Sequence, residues 1–110
     1  MIFNIIATDP FERKLKRLAK KYKSFSSDLS AIIDEIAENP TLGTPIGKDC
    51  YKIRVVIAIK GKDKRGGASM ITFVHEVKNT IFLMNIYDKS EQTTISAKKL
   101  QMLIDIMTEE

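Results

Sequence analysis

Lys52 and Arg54 are the residues best placed by type and spacing to do chemistry. They lie in Asp49-Cys50-Tyr51-Lys52-Ile53-Arg54, where apolar Tyr51, Ile53, Val55, Ile57 and Ile59 alternate with Lys52, Arg54, Val56, Ala58 and Lys60. Alternation of this kind is the mark of a strand, and it puts Lys52 and Arg54 on one face, about 7 Å apart. Two cations that close repel each other unless an anion sits between them, and phosphate is the natural candidate. Gly61-Lys62-Asp63-Lys64-Arg65-Gly66-Gly67 follows at once. It is not a nucleotide-binding phosphate loop, which requires Gly-Lys-Ser/Thr where this chain has Gly66-Gly67-Ala68. It reads instead as a basic hairpin connection whose Lys60, Lys62, Lys64 and Arg65 can grip an anionic partner from the rim of a sheet.

Charge is polarised along the chain. Of 18 Lys plus Arg, seven fall in residues 11–23 against one acid, and seven more in 48–65 against two. Residues 27–38 and the last six are acidic. Such asymmetry suits an anionic partner on one side. One cysteine excludes an internal disulfide framework, and one histidine beside it makes a structural zinc site implausible. Cys50 reads as a small packed side chain and His75 as a structural residue near a strand end. Residues 1–7 are apolar but lack a basic flank, and no run approaches the roughly 20 apolar residues of a membrane span. The expectation is a cytoplasmic protein without cofactor or metal, with no membrane partner, folded as a single domain over 1–110.

The remaining pattern supplies the elements that hold these residues. Residues 2–7 read as a strand. Thr8 or Asp9 caps a helix with Pro10 in its first turn, and Phe11, Leu15, Leu18 and Tyr22 form its apolar stripe. A second helix carries Leu29, Ile32, Ile33 and Ile36, and Asn39-Pro40 ends it. Residues 41–48 read as a turn-rich connector. Strands follow at 50–60, 68–77 and 81–88, with Asn79 suited to positive φ in the second hairpin. Ser96 caps a last helix, 95–110, with a Leu100, Leu103, Ile104 and Met107 stripe. The expected fold is α+β, in the order β-α-α-β-β-β-α, with an αα-hairpin packed on an antiparallel sheet. Both faces of 68–77 are apolar, so the last helix is expected to cover part of the second face.

Several of these segments, in order along nearly the whole chain, resemble the RelE/ParE superfamily of toxin–antitoxin toxins, in particular its RelE and HigB-like branches. They are Lys16-Arg17-Leu18 with Lys20-Lys21-Tyr22, Asn39-Pro40 with Gly43, Asp49 to Arg54, Lys64 to Ala68, and Ile86-Tyr87-Asp88-Lys89-Ser90-Glu91. The resemblance implies a microbial-ribonuclease-like fold and metal-independent cleavage of mRNA, generally in the ribosomal A site. It also implies a cognate antitoxin as partner. Carried over by position, Lys52 and Arg54 match two basic residues of the RelE strand. Lys89 matches a later arginine, and Tyr87 matches the tyrosine of the HigB-like motif. Lys20 and Lys21 join the loop cations as expected RNA contacts.

One position departs from the pattern. The family usually places arginine directly after the glycine turn, and this chain has Ser69. Serine supplies no cation to a phosphorane-like transition state. Three readings therefore stay open: an endoribonuclease toxin, a ParE-like inhibitor of DNA gyrase, and a degenerate toxin that only binds its antitoxin.

Overall fold

Thr8 starts the helical hairpin as its sequence predicts. In a computed structural model, which describes residues 3–56, 67–88 and 96–108, β1 (Asn4–Ala7) leads through Thr8 into α1 (Asp9–Lys21), with Pro10 in the first turn. The Thr8 hydroxyl accepts a hydrogen bond from the Phe11 N–H at 3.4 Å and donates to the Leu83 carbonyl at 2.9 Å. It thus ties a helix end to a strand far along the chain. The β-branched isostere Thr8→Val keeps the packing and loses both bonds. It is expected to lower stability by about 1–3 kcal/mol, with Thr8→Ser retaining most of it, as read by urea denaturation.

The second helix, α2 (Phe25–Glu38), ends at Asn39, whose N–H bonds back to Glu35 and Ile36. Phe11, Leu18, Phe25, Leu29 and Ile36 turn inward and pack on Ile53, Val55, Met70, Val74, Ile81, Leu83 and Ile86. The hairpin therefore covers the Met70, Thr72 and Val74 side of the sheet.

The sheet has five strands in the order β1-β5-β4-β3-β2. They are β1, β2 (Thr44–Gly47), β3 (Cys50–Val56), β4 (Gly67–His75) and β5 (Thr80–Asp88). Two expectations need correcting. The connector 41–48 contains strand β2, and the sheet is mixed, because β1 runs parallel to β5. One omission explains both. Each element reverses the chain, so inserting β2 adds one reversal between β1 and β5 and turns an antiparallel pair into a parallel one. The segment looks unlike a strand because it is Thr-Pro-Ile-Gly, and proline is tolerated only where its missing N–H faces no neighbour, as at this sheet edge.

Two turns complete the meander. Lys48 and Asp49 both adopt positive φ, 56° and 62°, between paired Gly47 and Cys50. This is the twist a two-residue hairpin requires. The second turn spans 76–79 with Asn79 at φ 51°. Val77, expected within the strand, lies in this turn and is exposed.

The last helix, α3 (Ala97–Thr108), begins where Ser96 Oγ accepts the Lys99 N–H at 3.1 Å. Leu100, Leu103 and Ile104 pack on Cys50, Ile71, Phe73, Met84 and Tyr87. That is the face opposite the αα-hairpin, so the sheet is covered on both sides along part of its length. Among the described residues no helix is long and apolar enough to cross a membrane.

Candidate functional site

A β-bulge decides what faces the site. In the β4–β5 pair Ile71 opposes Asn85 but Thr72 opposes Leu83, so Met84 is an extra residue. Strict alternation from Phe82, which packs against the α3 side, would put Ile86 and Asp88 on that face and Tyr87 on the other. The inserted residue reverses the phase beyond it. Met84 and Tyr87 pack with the α3-side cluster, and Ile86 packs under the αα-hairpin.

The outcome is one lateral row across three strands. Arg54 on β3 stands opposite Ser69 on β4, and Ser69 stands opposite Tyr87 on β5. Lys52, Ile71 and Asn85 form the next row. Lys52 is half-buried and Arg54 exposed. An open cleft of about 400 Å³ lies over them, lined by Gly43, Thr44, Lys52, Arg54 and Ser69. Its floor is set by two cations and a hydroxyl, and its wall by the β2 edge.

Gly43 is required there. Its φ is +102°, and a Cβ at this position would approach the Lys52 carbonyl to 2.6 Å. Glycine alone lets the connector close on β3 beside the cationic pair. The sequence carries this as one of two glycines in a turn-rich stretch, and nothing in its pattern marks Gly43 and Thr44 as the rim of a cleft.

Tyr87 is 3% exposed. Its hydroxyl has no hydrogen-bond partner among the described residues, and neither does Asn85 Nδ2. The Asn85 Oδ1 accepts from the Ile86 N–H at 2.9 Å. Tyr87 therefore sits beneath the row rather than on the cleft wall, beside Ser69 and against the α3 cluster. Asn85 is a residue that sequence reasoning misses, because its apolar neighbours give it the look of an ordinary strand-interior position.

The other expected cations divide. Lys60, Lys62, Lys64, Arg65 and Lys89 lie outside the described residues. Lys20 and Lys21 belong to α1, which packs on the opposite sheet face, so they do not join Lys52 and Arg54. Lys21 lies 3.5 Å from Asp88 Oδ2 and 5.3 Å from the Tyr22 ring centroid. Tyr22, and after it Asp88, raises the Lys21 ammonium above its ordinary value. Asp88 is buried and also accepts the Tyr22 hydroxyl at 2.7 Å. This carboxylate fastens the end of β5 to the end of α1, directly after Tyr87.

Cys50 and His75 stand apart from the row. His75 Nδ1 accepts the Lys78 N–H at 3.4 Å, and its ring meets Phe73 edge-on at 6.0 Å. Burial, and then the charge of Asp49, pushes the Cys50 thiol from 9.0 up to about 11. The unfolded chain then gives up this proton first, so the folded state binds more protons between pH 9 and 11. Stability is expected to be unaffected by Cys50 well below pH 9 and to fall as pH rises towards 11, by about 1–2 kcal/mol after solvent screening is allowed for. Urea denaturation in neutral and in strongly alkaline buffer checks this, since Cys50→Ala removes that part of the decline.

No family model matches the chain. The fold, however, has solved counterparts. A free-state mutant of the Escherichia coli toxin RelE, with two arginines replaced by alanine, superposes with a TM-score of 0.66 at 14% identity, covering 97% of this chain and 99% of that one. The intact E. coli RelBE toxin–antitoxin complex contains a chain that gives 0.58 at 17% identity, with 76% and 93% covered. A metal-bound toxin from Helicobacter pylori gives 0.51 at 16%, with 82% and 98% covered. The chain shares the fold of RelE.

Proposed function

We propose that this chain is the toxin of a toxin–antitoxin pair and an endoribonuclease that cuts mRNA at the ribosome. The observation that carries the reading is the Lys52, Arg54 and Ser69 cleft, with Tyr87 in the same row. A phosphodiester laid across β3 brings its phosphate against both cations. The ribose 2′-oxygen then forms a bond to phosphorus, the 5′-oxygen bond breaks, and the products are a 2′,3′-cyclic phosphate and a 5′-hydroxyl. The nucleophile belongs to the substrate. The protein contributes orientation and positive charge against the dianionic phosphorane, where fixed cations stabilise the transition state more than the ground state. Tyr87 lies in the same row, but its hydroxyl is buried under the α3 cluster, so it exchanges a proton with the 2′-OH or the leaving oxygen only where α3 is drawn aside.

The antitoxin is the expected protein partner, supported by the likeness to a toxin–antitoxin complex. Ser69 favours a second reading, in which the chain retains antitoxin binding and cleaves slowly or not at all.

Expression from a tightly repressed promoter, followed by mapping of new mRNA 5′ ends, tests the proposal. New 5′-hydroxyl ends within translated frames support it. Their absence at good expression overturns it, and a supercoiling assay then tests gyrase inhibition.

A further inference from the structure

Two buried hydrogen-bonding groups lie together on β5 beside the cleft. Asn85 is 2% exposed and Tyr87 3%, and neither Asn85 Nδ2 nor the Tyr87 hydroxyl has a partner among the described residues. Asn85 stands opposite Ile71 and Tyr87 opposite Ser69, so both point to the face that α3 covers. Leu100, Leu103 and Ile104 pack on that face, and their side chains have no polar atom to offer. A third unpartnered group, Thr72 Oγ1, lies on the hairpin face opposite Leu83 and stands apart.

A buried donor without an acceptor destabilises a fold, so its retention calls for a reason. The bulge accounts for only half of Asn85. An N–H can only donate, so the atom that takes the Ile86 N–H at 2.9 Å is Oδ1. The amide nitrogen is left over with two N–H groups. A serine hydroxyl could take the same N–H and would bury less polar surface. The surplus is therefore a pair of donors, and that asymmetry is chemically selective. A free asparagine amide pairs with adenine by giving one hydrogen bond and taking another. With Oδ1 committed, Asn85 can only give. Guanine O6 and uracil O4 accept such a bond, whereas adenine and cytosine present amino groups at the matching positions. The Tyr87 hydroxyl both gives and takes, and so serves any base.

Lys52, Ile71 and Asn85 form one row from β3 through β4 to β5. Two strand spacings put Asn85 about 10 Å from Lys52. That is the scale of one nucleotide, from its phosphate to the far edge of its base. We propose that Asn85 is a specificity-determining residue that reads a nucleobase. With the phosphate held by Lys52 and Arg54, the adjoining base lies over β4 and β5, and Asn85 Nδ2 donates to its exocyclic carbonyl. The preferred bases are guanine and uracil. The base takes the place of the α3 side chains on this part of the sheet, so it binds with α3 drawn aside. The inference rests on the proposed role of the cleft as the phosphate site.

The probes are the dinucleotides GpG, UpU, ApA and CpC, each with a 2′-deoxy first sugar. They cannot be cleaved, and their identical bases leave no choice of register. Binding to the full, isotope-labelled chain is followed by NMR titration in mildly alkaline buffer. GpG is compared with ApA and UpU with CpC, so that ring size cancels. The wild type should favour GpG over ApA and UpU over CpC by roughly tenfold. The Asn85 side-chain amide resonances should move with the preferred member of each pair. Asn85→Asp keeps the acceptor for the Ile86 N–H and replaces the donors by an acceptor, so it should reverse both preferences. Asn85→Ser should bring both ratios near one, and it carries the test where the buried carboxylate of Asn85→Asp upsets the fold. Ratios within one variant are insensitive to a general loss of stability or to an added charge. A purely structural Asn85 would lower all four affinities together and leave the ratios as they were. That result, or equal binding of all four dinucleotides by the wild type, would overturn the inference and leave the cleft standing. Lys52→Ala/Arg54→Ala should weaken all four alike; if it weakens none, the phosphate site is overturned instead. A wild-type chain that binds none of the four overturns both.

Discussion

Lys52→Ala/Arg54→Ala is expected to lower single-turnover cleavage of mRNA by a factor on the order of 10³ or more, while leaving the urea midpoint near that of the wild type. Removing one preorganised donor of charge from such a site commonly costs on the order of 100-fold to 1,000-fold. The two act on one phosphate, so their losses need not add. The fold should tolerate the change. Arg54 is exposed and Lys52 half-buried, and neither side chain belongs to the core packed by Ile53 and Val55. Lys52→Arg should retain part of the rate, since charge is kept while the fit to a phosphate changes. Unchanged cleavage in the double variant, measured with a folded protein, would remove the cleft from the chemistry.

Ser69→Arg is expected to raise the cleavage rate, on the order of 10–100-fold, by adding a donor of the kind whose loss is so costly elsewhere. The structure supplies room for it. Ser69 is buried at the floor of a cleft of about 400 Å³, so a longer side chain grows into open space rather than into the core. Arg54 stands directly opposite, at a cross-strand spacing of about 5 Å. The new guanidinium will be repelled by it, and a stability loss of about 0.5–1 kcal/mol should accompany the gain in rate. Added phosphate should reverse that loss by occupying the space between the two cations. A variant that folds, binds antitoxin and shows no gain in rate would exclude Ser69 as the limit on catalysis. A wild-type chain without activity that becomes toxic on this change would identify it as a degenerate toxin.

Much of this arrangement is legible in residue patterns. Thr8 and Pro10 announce the first helix because a capping hydroxyl and a ring with no N–H suit only its opening turn. Asn39-Pro40 closes the second, and Ser96 opens the third. The alternation through Tyr51, Ile53 and Val55 establishes which face of β3 is buried, and with it the direction of Lys52 and Arg54. These are local rules, and the local chain obeys them.

The features that sequence patterns miss are non-local. Strand β2 is four residues of Thr-Pro-Ile-Gly, whose strand state comes from pairing with β3 and from Gly43 closing on Lys52. With it missing, the parity of reversals is wrong and β1 takes the wrong direction. The basic residues show a similar division. Composition gathers Lys20 and Lys21 with Lys52 and Arg54 as one anionic-partner surface, whereas the sheet stands between them.

By itself the sequence determined the helical hairpin, the meander, the buried side of β3 and the pairing of two cations at phosphate spacing. These depend on periods of about 3.6 and 2 that a short segment carries within it. Only the tertiary structure decided that Tyr87 shares their face. Alternation along β5 would have sent it under the αα-hairpin. The extra residue at Met84 reverses that choice, and Thr8, reaching across from the first helix to the Leu83 carbonyl, is bonded to the strand just before the reversal. A bulge is a mismatch between two strands, and neither strand alone contains it.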